Sequence, residues 1–196
     1  MIRNAARAIR ATVALAVLTG LLYPLVMTGV AQVAFRSKAD GSLIHADGRT
    51  VGSSLIGQAW TGPQWFYGRP SATSTPYDAS ASSGSNLGPL SRPLAEDVRA
   101  RIDAILKIEG PYHQGLVASD IPVDLVTSSA SGLDPDISPG AARFQAPRIA
   151  AVRGISLATV VKLIDQHTES RTLGVLGEPR VNVLELNLAL ERLGQG

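Results

Sequence analysis

Ala11 to Phe35 form a run of 25 residues without a formal charge, and a stretch of that length constrains the chain more than any other feature it has. At a rise of about 1.5 Å per residue, roughly 20 apolar residues cross a hydrocarbon core of about 30 Å. Residues 11–35 therefore read as a single transmembrane helix with room for tilt. Arg3, Arg7 and Arg10 lie before it in a basic tail, residues 1–10, while Arg36, Lys38 and Asp40 follow it. Lys and Arg flanking a span are retained on the cytoplasmic side, so the bias sets the amino terminus inside and residues 36–196 outside. A cleaved signal peptide would also begin basic and turn apolar, with Gly29 and Ala31 as small residues near a cleavage site. Its apolar core normally runs only about 7–15 residues, which favours a retained anchor. Both readings export residues 36–196.

Composition supports this division. The whole chain carries a net charge of +2, but past residue 35 there are 15 Lys plus Arg against 16 Asp plus Glu. The exported part thus lacks the basic footprint of a nucleic-acid binder. Its length suits one domain with a real core. The chain has no cysteine, which excludes disulfides, thiolate metal sites, cysteine nucleophiles and a lipidated cysteine anchor.

The span is not a uniform apolar rod. Every fourth residue from Ala8 gives Thr12, Ala16, Gly20, Pro24 and Thr28, all compact, whereas the rows through Val13, Val17 and Leu21 and through Leu18, Leu22 and Val26 are bulky. Helices in lipid associate through close backbone approach, so this ridge is where a partner helix would sit. Pro24 withholds a backbone donor and frees the carbonyl of Gly20. Tyr23 brings a hydroxyl near mid-span, away from the interfacial belts where Tyr is enriched. The expected helix-packing residues are Thr12, Ala16, Gly20, Tyr23, Pro24 and Thr28.

Beyond the span the expectation is an α+β class: one exported mixed domain, extended and loop-rich over 36–90 and mostly helical over 91–196. Val51 to Gln58 and Trp60 to Tyr67 have strand-forming residues broken by Gly52, Gly57, Gly62, Pro63 and Gly68. Ser71 to Leu90 holds six Ser and a single charge, Asp78. A loop of about 20 residues in a compact domain is functional or disordered, and the preceding Trp60, Trp65, Phe66 and Tyr67 predict that it lies ordered against them. Pro93 opens a helix through Leu94, Val98, Ile102 and Ile105 that Gly110 and Pro111 end. Ser138 before Pro139 caps a second helix running towards Gly154, and Ser156 caps a third. Asn182 with Glu185 three residues on starts the last helix, although Leu184, Leu186, Leu188 and Leu190 also alternate as a strand would. Ile121 to Val126 reads as one buried strand.

The chemistry is sparse. The chain has no G-x-x-x-x-G-K-[ST], and its lysines are Lys38, Lys107 and Lys162, so the ingredients of a P-loop are missing. G-x-S-x-G, S-x-x-K and H-E-x-x-H are missing as well. His45, His113 and His167 are far apart in sequence, and Asp165 does not share a helix face with His167. Asp134 and Asp136 imitate the opening of a calcium loop, but Pro139 and Gln145 stand where glycine and glutamate belong. Turn chemistry explains them better: Asp134 before Pro135, and Asp136 before the Ser138 cap.

Longer blocks carry a resemblance. Gly52-Ser53-Ser54-Leu55-Ile56-Gly57-Gln58, Phe66-Tyr67-Gly68-Arg69-Pro70-Ser71 and Gly84-Ser85-Asn86-Leu87-Gly88-Pro89 are followed by Pro122 to Thr127, Ser129 to Pro135, Ile137-Ser138-Pro139 and Leu176 to Asn187. In this order, behind a single amino-terminal span, they resemble the C subunit of the bacterial Kdp potassium-transporting P-type ATPase. The resemblance implies a non-catalytic subunit of high-affinity, ATP-driven potassium uptake in the bacterial inner membrane. Its implied partners are a channel-like pore subunit, an ATP-hydrolysing subunit and a very small membrane subunit. The family is described as a catalytic chaperone that raises the ATP affinity of the ATPase subunit. ATP would then enter through that subunit, since residues 36–196 on the outside face away from cytoplasmic ATP. Hence the alternative, an exported module capping the potassium entrance of the pore subunit.

Overall fold

The computed structural model describes residues 1–193 and divides the chain into two compact units, Met1–Ser53 and a larger unit from Ser54 onward. In the first unit, helix α1 spans Ile2–Ala34, the one helix among the described residues long and apolar enough to cross a membrane. None of its residues is buried by the rest of the chain. The apolar surface it presents is uncovered, as expected of a segment whose cover is lipid or another protein.

Within α1 the turn Leu18–Leu22 widens to an i→i+5 pattern, and Tyr23 N–H donates to the Leu18 carbonyl. Pro24 is the cause at hand. It cannot donate to Gly20, and its ring crowds that carbonyl, so the helix takes up one residue in a π turn. Thr19 Oγ1 donates back to the Leu15 carbonyl at 2.7 Å, a second influence that bends helices. A four-residue helix α2, Arg36–Ala39, follows, and then an antiparallel hairpin of β1, Leu43–Ala46, and β2, Arg49–Ser53. Its two-residue turn is Asp47-Gly48 with φ of +50° and +73°, the left-handed pair that matches strand twist.

The second unit contains α3 (Arg92–Glu109), β3 (Asp136–Ile137), α4 (Pro139–Arg153), α5 (Leu157–Gln166), β4 (Thr168–Glu169), β5 (Arg180–Asn182) and α6 (Val183–Leu193). The strands form a small antiparallel sheet in the order β3-β5-β4, pairing Ile137 with Val181 and Thr168 with Val181. The buried core joins Phe66 and Ile137 to Ala141, Ala142, Ala146 and Ile149 of α4, Val160 and Ile164 of α5, and Leu186 and Leu190 of α6. The alanines explain how α5 comes close to α4, since each removes bulk that would hold the helix axes apart. Together the units give an apolar amino-terminal helix followed by a mixed helix and strand fold, of the α+β class.

Local signals set the helix ends. Ser138 Oγ accepts from Ala141 N–H at 3.0 Å and Ser156 Oγ from Thr159 N–H at 3.0 Å, and Gly154 ends α4 at φ +66°. Asn182 Oδ1 accepts from Glu185 N–H at 3.1 Å, so the leucine alternation resolves as helix, with Leu186 and Leu190 fully buried. Ile121 to Val126 differs from expectation: Val123–Leu125 is a 3₁₀ turn. Pro122 has no N–H for a ladder, and burial of Ile121, Leu125 and Val126 produces the same apolar signal without a strand.

The Ser-rich segment makes backbone and side-chain hydrogen bonds with residues 131–132: Ser71 Oγ donates to the Gly132 carbonyl at 2.7 Å, and Ser83 N–H to the Ser131 carbonyl at 3.0 Å. A Cβ on Gly132 would lie 2.6 Å from the Ser83 carbonyl oxygen and one on Gly84 2.8 Å from that of Ala130, so two glycines permit this backbone approach.

Candidate functional site

Phe66 and Tyr67 lie in extended chain outside both sheets, and buried amides stand in for a neighbouring strand. Asn187 of α6 accepts from Phe66 N–H at 2.9 Å and donates to its carbonyl at 3.0 Å. Gln145 of α4 does the same for Tyr67, at 2.8 Å and 3.0 Å. One helical turn on from Gln145, Arg148 is wholly buried. Its Nε donates to Glu109 Oε1 at 2.8 Å, its Nη2 to Gln145 Oε1 at 3.0 Å and its Nη1 to the carbonyls of Pro63 and Trp65, the latter at 3.0 Å. The guanidinium also stacks 4.7 Å from the Tyr67 ring centroid.

Glu109 is the last residue of α3, so this network fixes α3, α4, α6 and the 63–67 segment to one another. Burial pushes the Glu109 carboxyl above its ordinary range, against the opposing pull of Arg148 and, more weakly, of His113. Its Oε2 accepts no hydrogen bond among the described residues, and Glu109 lines a cavity of about 60 Å³ together with Tyr67, Ile105 and Leu125. The network positions the segment that leads into Arg69.

Arg69 opens onto a cleft of about 440 Å³ lined by four carboxylates, Asp124, Asp134, Asp136 and Glu178, and a second arginine, Arg180. Arg69 Nη1 meets Asp134 at 3.0 Å, and Arg180 bridges Asp136 at 3.1 Å and Glu169 at 2.6 Å. Burial raises the Asp136 carboxyl; Arg180 opposes this, while Asp134 and Glu169 add to it. Asp134 Oδ1 accepts from Asp136 N–H at 3.0 Å, the turn chemistry expected. Asp136 lies two residues before the Ser138 cap, and Asp124 Oδ2 accepts from Ser138 N–H at 2.7 Å. The Tyr77 hydroxyl donates to the Arg69 carbonyl at 2.6 Å, and its phenol is pushed up to about 12, mainly by burial.

Among the residues lining this cleft the one hydroxyl, that of Ser138, is engaged as the α4 cap. Among the described residues no group of three His, Asp or Glu is placed to hold a metal ion. His113 Nε2 donates to the Phe144 carbonyl at 2.8 Å and stacks on that ring, His167 Nδ1 donates to the Leu163 carbonyl at 2.9 Å, and Asp165 pairs with Arg143 at 2.6 Å. His45 sits with Thr50 in the hairpin of the first unit. Carboxylates outnumber the two engaged arginines in this cleft, which disfavours a polyphosphate there.

The helix-packing candidates Thr12, Ala16, Gly20, Tyr23, Pro24 and Thr28 are all exposed on α1, and no atom lies within 4 Å of a Cβ built on Gly20. A row at i, i+4 drifts forward by about 40° per step in an α-helix. The extra residue taken up at Leu18–Leu22 turns Pro24 and Thr28 back towards the line of Thr12, Ala16 and Gly20. Glu109, Arg148 and Asn187 went unnoticed in the sequence. The one hint was charged and amide residues, Gln145 and Arg148, at helical spacing inside the alanine-rich face of α4.

The blocks that gather here are the ones by which the chain resembles a known subunit: 66–71, 129–139 and 176–187. A family model, KdpC: K+-transporting ATPase, c chain, matches residues 5–192. The chain belongs to the KdpC family. A potassium-transporting ATPase KdpC subunit from Herpetosiphon aurantiacus is 57% identical over 187 residues, covering 95% of this chain and 94% of that one. The KdpC subunits of Polaromonas naphthalenivorans and Gemmatimonas aurantiaca are 58% and 52% identical, over 180 and 194 residues, covering 91% and 98% of this chain and 89% and 94% of theirs.

Proposed function

We propose that this chain is a non-catalytic accessory subunit of a Kdp-type potassium-transporting ATPase. In this reading α1 anchors it in the bacterial inner membrane with residues 1–10 in the cytoplasm and 36–196 outside. The observation that carries the proposal is the uncovered apolar helix: an exposed span with a π turn at Pro24 and a compact ridge is suited to a neighbouring helix. Its partners are the pore-forming, ATP-hydrolysing and small membrane subunits, together with lipid.

The exported domain acts on the pore side in this reading, as a module at the potassium entrance. The arginine-rich tail supports that placement, and the carboxylate-lined cleft opposes direct contact with ATP. An influence on the ATP affinity of the ATPase subunit would pass through the assembled complex. The test is co-purification of the tagged full-length chain with the other pump subunits in mild detergent. Complex is expected from the natural sequence and reduced several-fold by Gly20→Leu, which fills the ridge. A chain that never associates refutes subunit function; an unchanged yield with Gly20→Leu refutes the ridge.

A further inference from the structure

Between β4 and β5 the chain makes a closed hairpin whose tip is exposed among the described residues. Arg171 and Glu178 clamp its base, with Nη2 at 2.8 Å and 2.6 Å from the two carboxylate oxygens. Thr172 and Leu176 exchange backbone hydrogen bonds of 2.9 Å each. The six residues Thr172 to Gly177 contain no charge and no aromatic ring. Leu173, Val175 and Leu176 are 87%, 72% and 58% exposed, a concentration of aliphatic surface that folding of this chain does not require.

Backbone geometry makes the same point independently. Leu173 has φ +54°, alongside Gly174 and Gly177 at +77°. Glycine or asparagine adopts that conformation more readily than leucine. Leu173 is held in this conformation by the turn's own hydrogen bonds, Gly174 N–H to the Arg171 carbonyl at 3.0 Å and Val175 N–H to that of Thr172 at 3.3 Å, and strain kept at an exposed tip suits a contact made with another molecule.

The hairpin runs directly into the cleft, since Glu178 and Pro179 line it, and Val123, 70% exposed, lies on the same wall. Asp136 and Arg180 also line a neighbouring cleft of about 310 Å³ with Glu169 and Glu185. Beside the apolar tip, then, is a surface on which carboxylates outnumber guanidinium groups.

The geometry points to residues 171–180 as a preformed docking knob for another subunit of the pump, whose receiving surface has an aliphatic hollow for Leu173, Val175 and Leu176 flanked by lysine or arginine side chains. This rests on the subunit reading above and gives it a contact surface. Two features set a protein surface above lipid. Interfacial segments use Trp or Phe with free Lys or Arg, and here both cations of the segment are engaged, Arg171 by Glu178 and Arg180 by Asp136 and Glu169. The tip's own hydrogen bonds make it rigid, which lowers the ordering cost of binding, and a clustered aliphatic anchor beside complementary charge is how such contacts gain affinity and rate.

The experiment uses the full-length chain, which has no native cysteine. Purified Val175→Cys carrying a benzophenone is reassembled with the remaining subunits and illuminated; a cross-link to another pump subunit is expected. Cross-linking confined to lipid, or none in an assembled complex, overturns the proposal. In parallel, dissociation of the chain from the complex is timed for Leu173→Gly combined with Leu176→Ser. At least a tenfold faster release is expected, with thermal unfolding of the isolated variant no lower than that of the natural chain. Glu185→Lys is expected to speed release several-fold at 50 mM NaCl and less at 500 mM, because screening weakens the charge contribution. Release unchanged in every variant overturns the docking knob while leaving the subunit reading intact. Failure of the natural chain itself to assemble refutes the subunit reading instead.

Discussion

Arg148→Met tests the internal network most severely. The substitution keeps an unbranched apolar side chain in a fully buried position but removes the partner of Glu109, whose side chain is 3% exposed. Breaking a buried ion pair from one side costs about 3–5 kcal/mol, because the remaining charge is left desolvated. The carbonyls of Pro63 and Trp65 and the amide of Gln145 lose a donor as well; these losses overlap and do not simply add. A net loss of about 4 kcal/mol is a large share of a typical folding free energy, and at about 2–4 °C per kcal/mol it lowers Tm by roughly 8–16 °C. The assay is thermal unfolding of the full-length chain in detergent, followed by near-ultraviolet circular dichroism, which reports the packed aromatic residues Trp65, Phe66 and Tyr67. Glu109→Gln combined with Arg148→Met is expected to be more stable than Arg148→Met alone, since no unpaired charge is then buried. A loss below about 1 kcal/mol for Arg148→Met, or a double variant less stable than the single, would refute the reasoning.

Three further outcomes follow from the same geometry. Burial raises the Glu109 carboxyl, so the folded state holds a proton that the unfolded chain releases at lower pH; its contribution to stability falls as pH rises above roughly 4.3 towards the raised folded value, and the stability difference between the natural chain and Glu109→Gln, measured by denaturant titration from pH 4 to 8, should shrink in that direction. Gly132→Ala sets a Cβ 2.6 Å from the Ser83 carbonyl oxygen at φ +67° and should cost about 1–3 kcal/mol while making the segment after Ser71 more sensitive to limited proteolysis. Asn187→Leu leaves both backbone groups of Phe66 unpaired in the core and should cost about 2–4 kcal/mol in the same thermal assay.

Local signals were legible in the sequence wherever one residue settles an outcome within its own turn. The caps at Ser138, Ser156 and Asn182 and the left-handed stop at Gly154 are of this kind. The apolar span was legible for a similar reason, since length and lack of charge suffice. The short strands were not. Asp136 pairs with Asn182 across the chain, and strands of two or three residues carry no periodicity of their own. Ile121 to Val126 misled because burial without a ladder looks like a strand. The candidate surface was half legible: motif blocks marked where it lies, but neither the Arg148–Glu109 pair nor the meeting of Arg69 with Asp134 and of Arg180 with Asp136 follows from spacing. Arg148 and Arg69 are placed where α4 and α6 hold Phe66 and Tyr67 in place of a strand, and Arg180 meets Asp136 across the β3–β5 pair.

Sidedness tests the account most directly, because an exported domain and direct contact with cytoplasmic ATP exclude each other. Single cysteines at Ala5→Cys and Ser85→Cys, both exposed positions in a chain without native cysteine, are exposed to a membrane-impermeant maleimide in intact spheroplasts. The account predicts that Ser85→Cys is labelled at once and Ala5→Cys only after the membrane is opened. Labelling of Ala5→Cys in sealed spheroplasts with Ser85→Cys protected would contradict it.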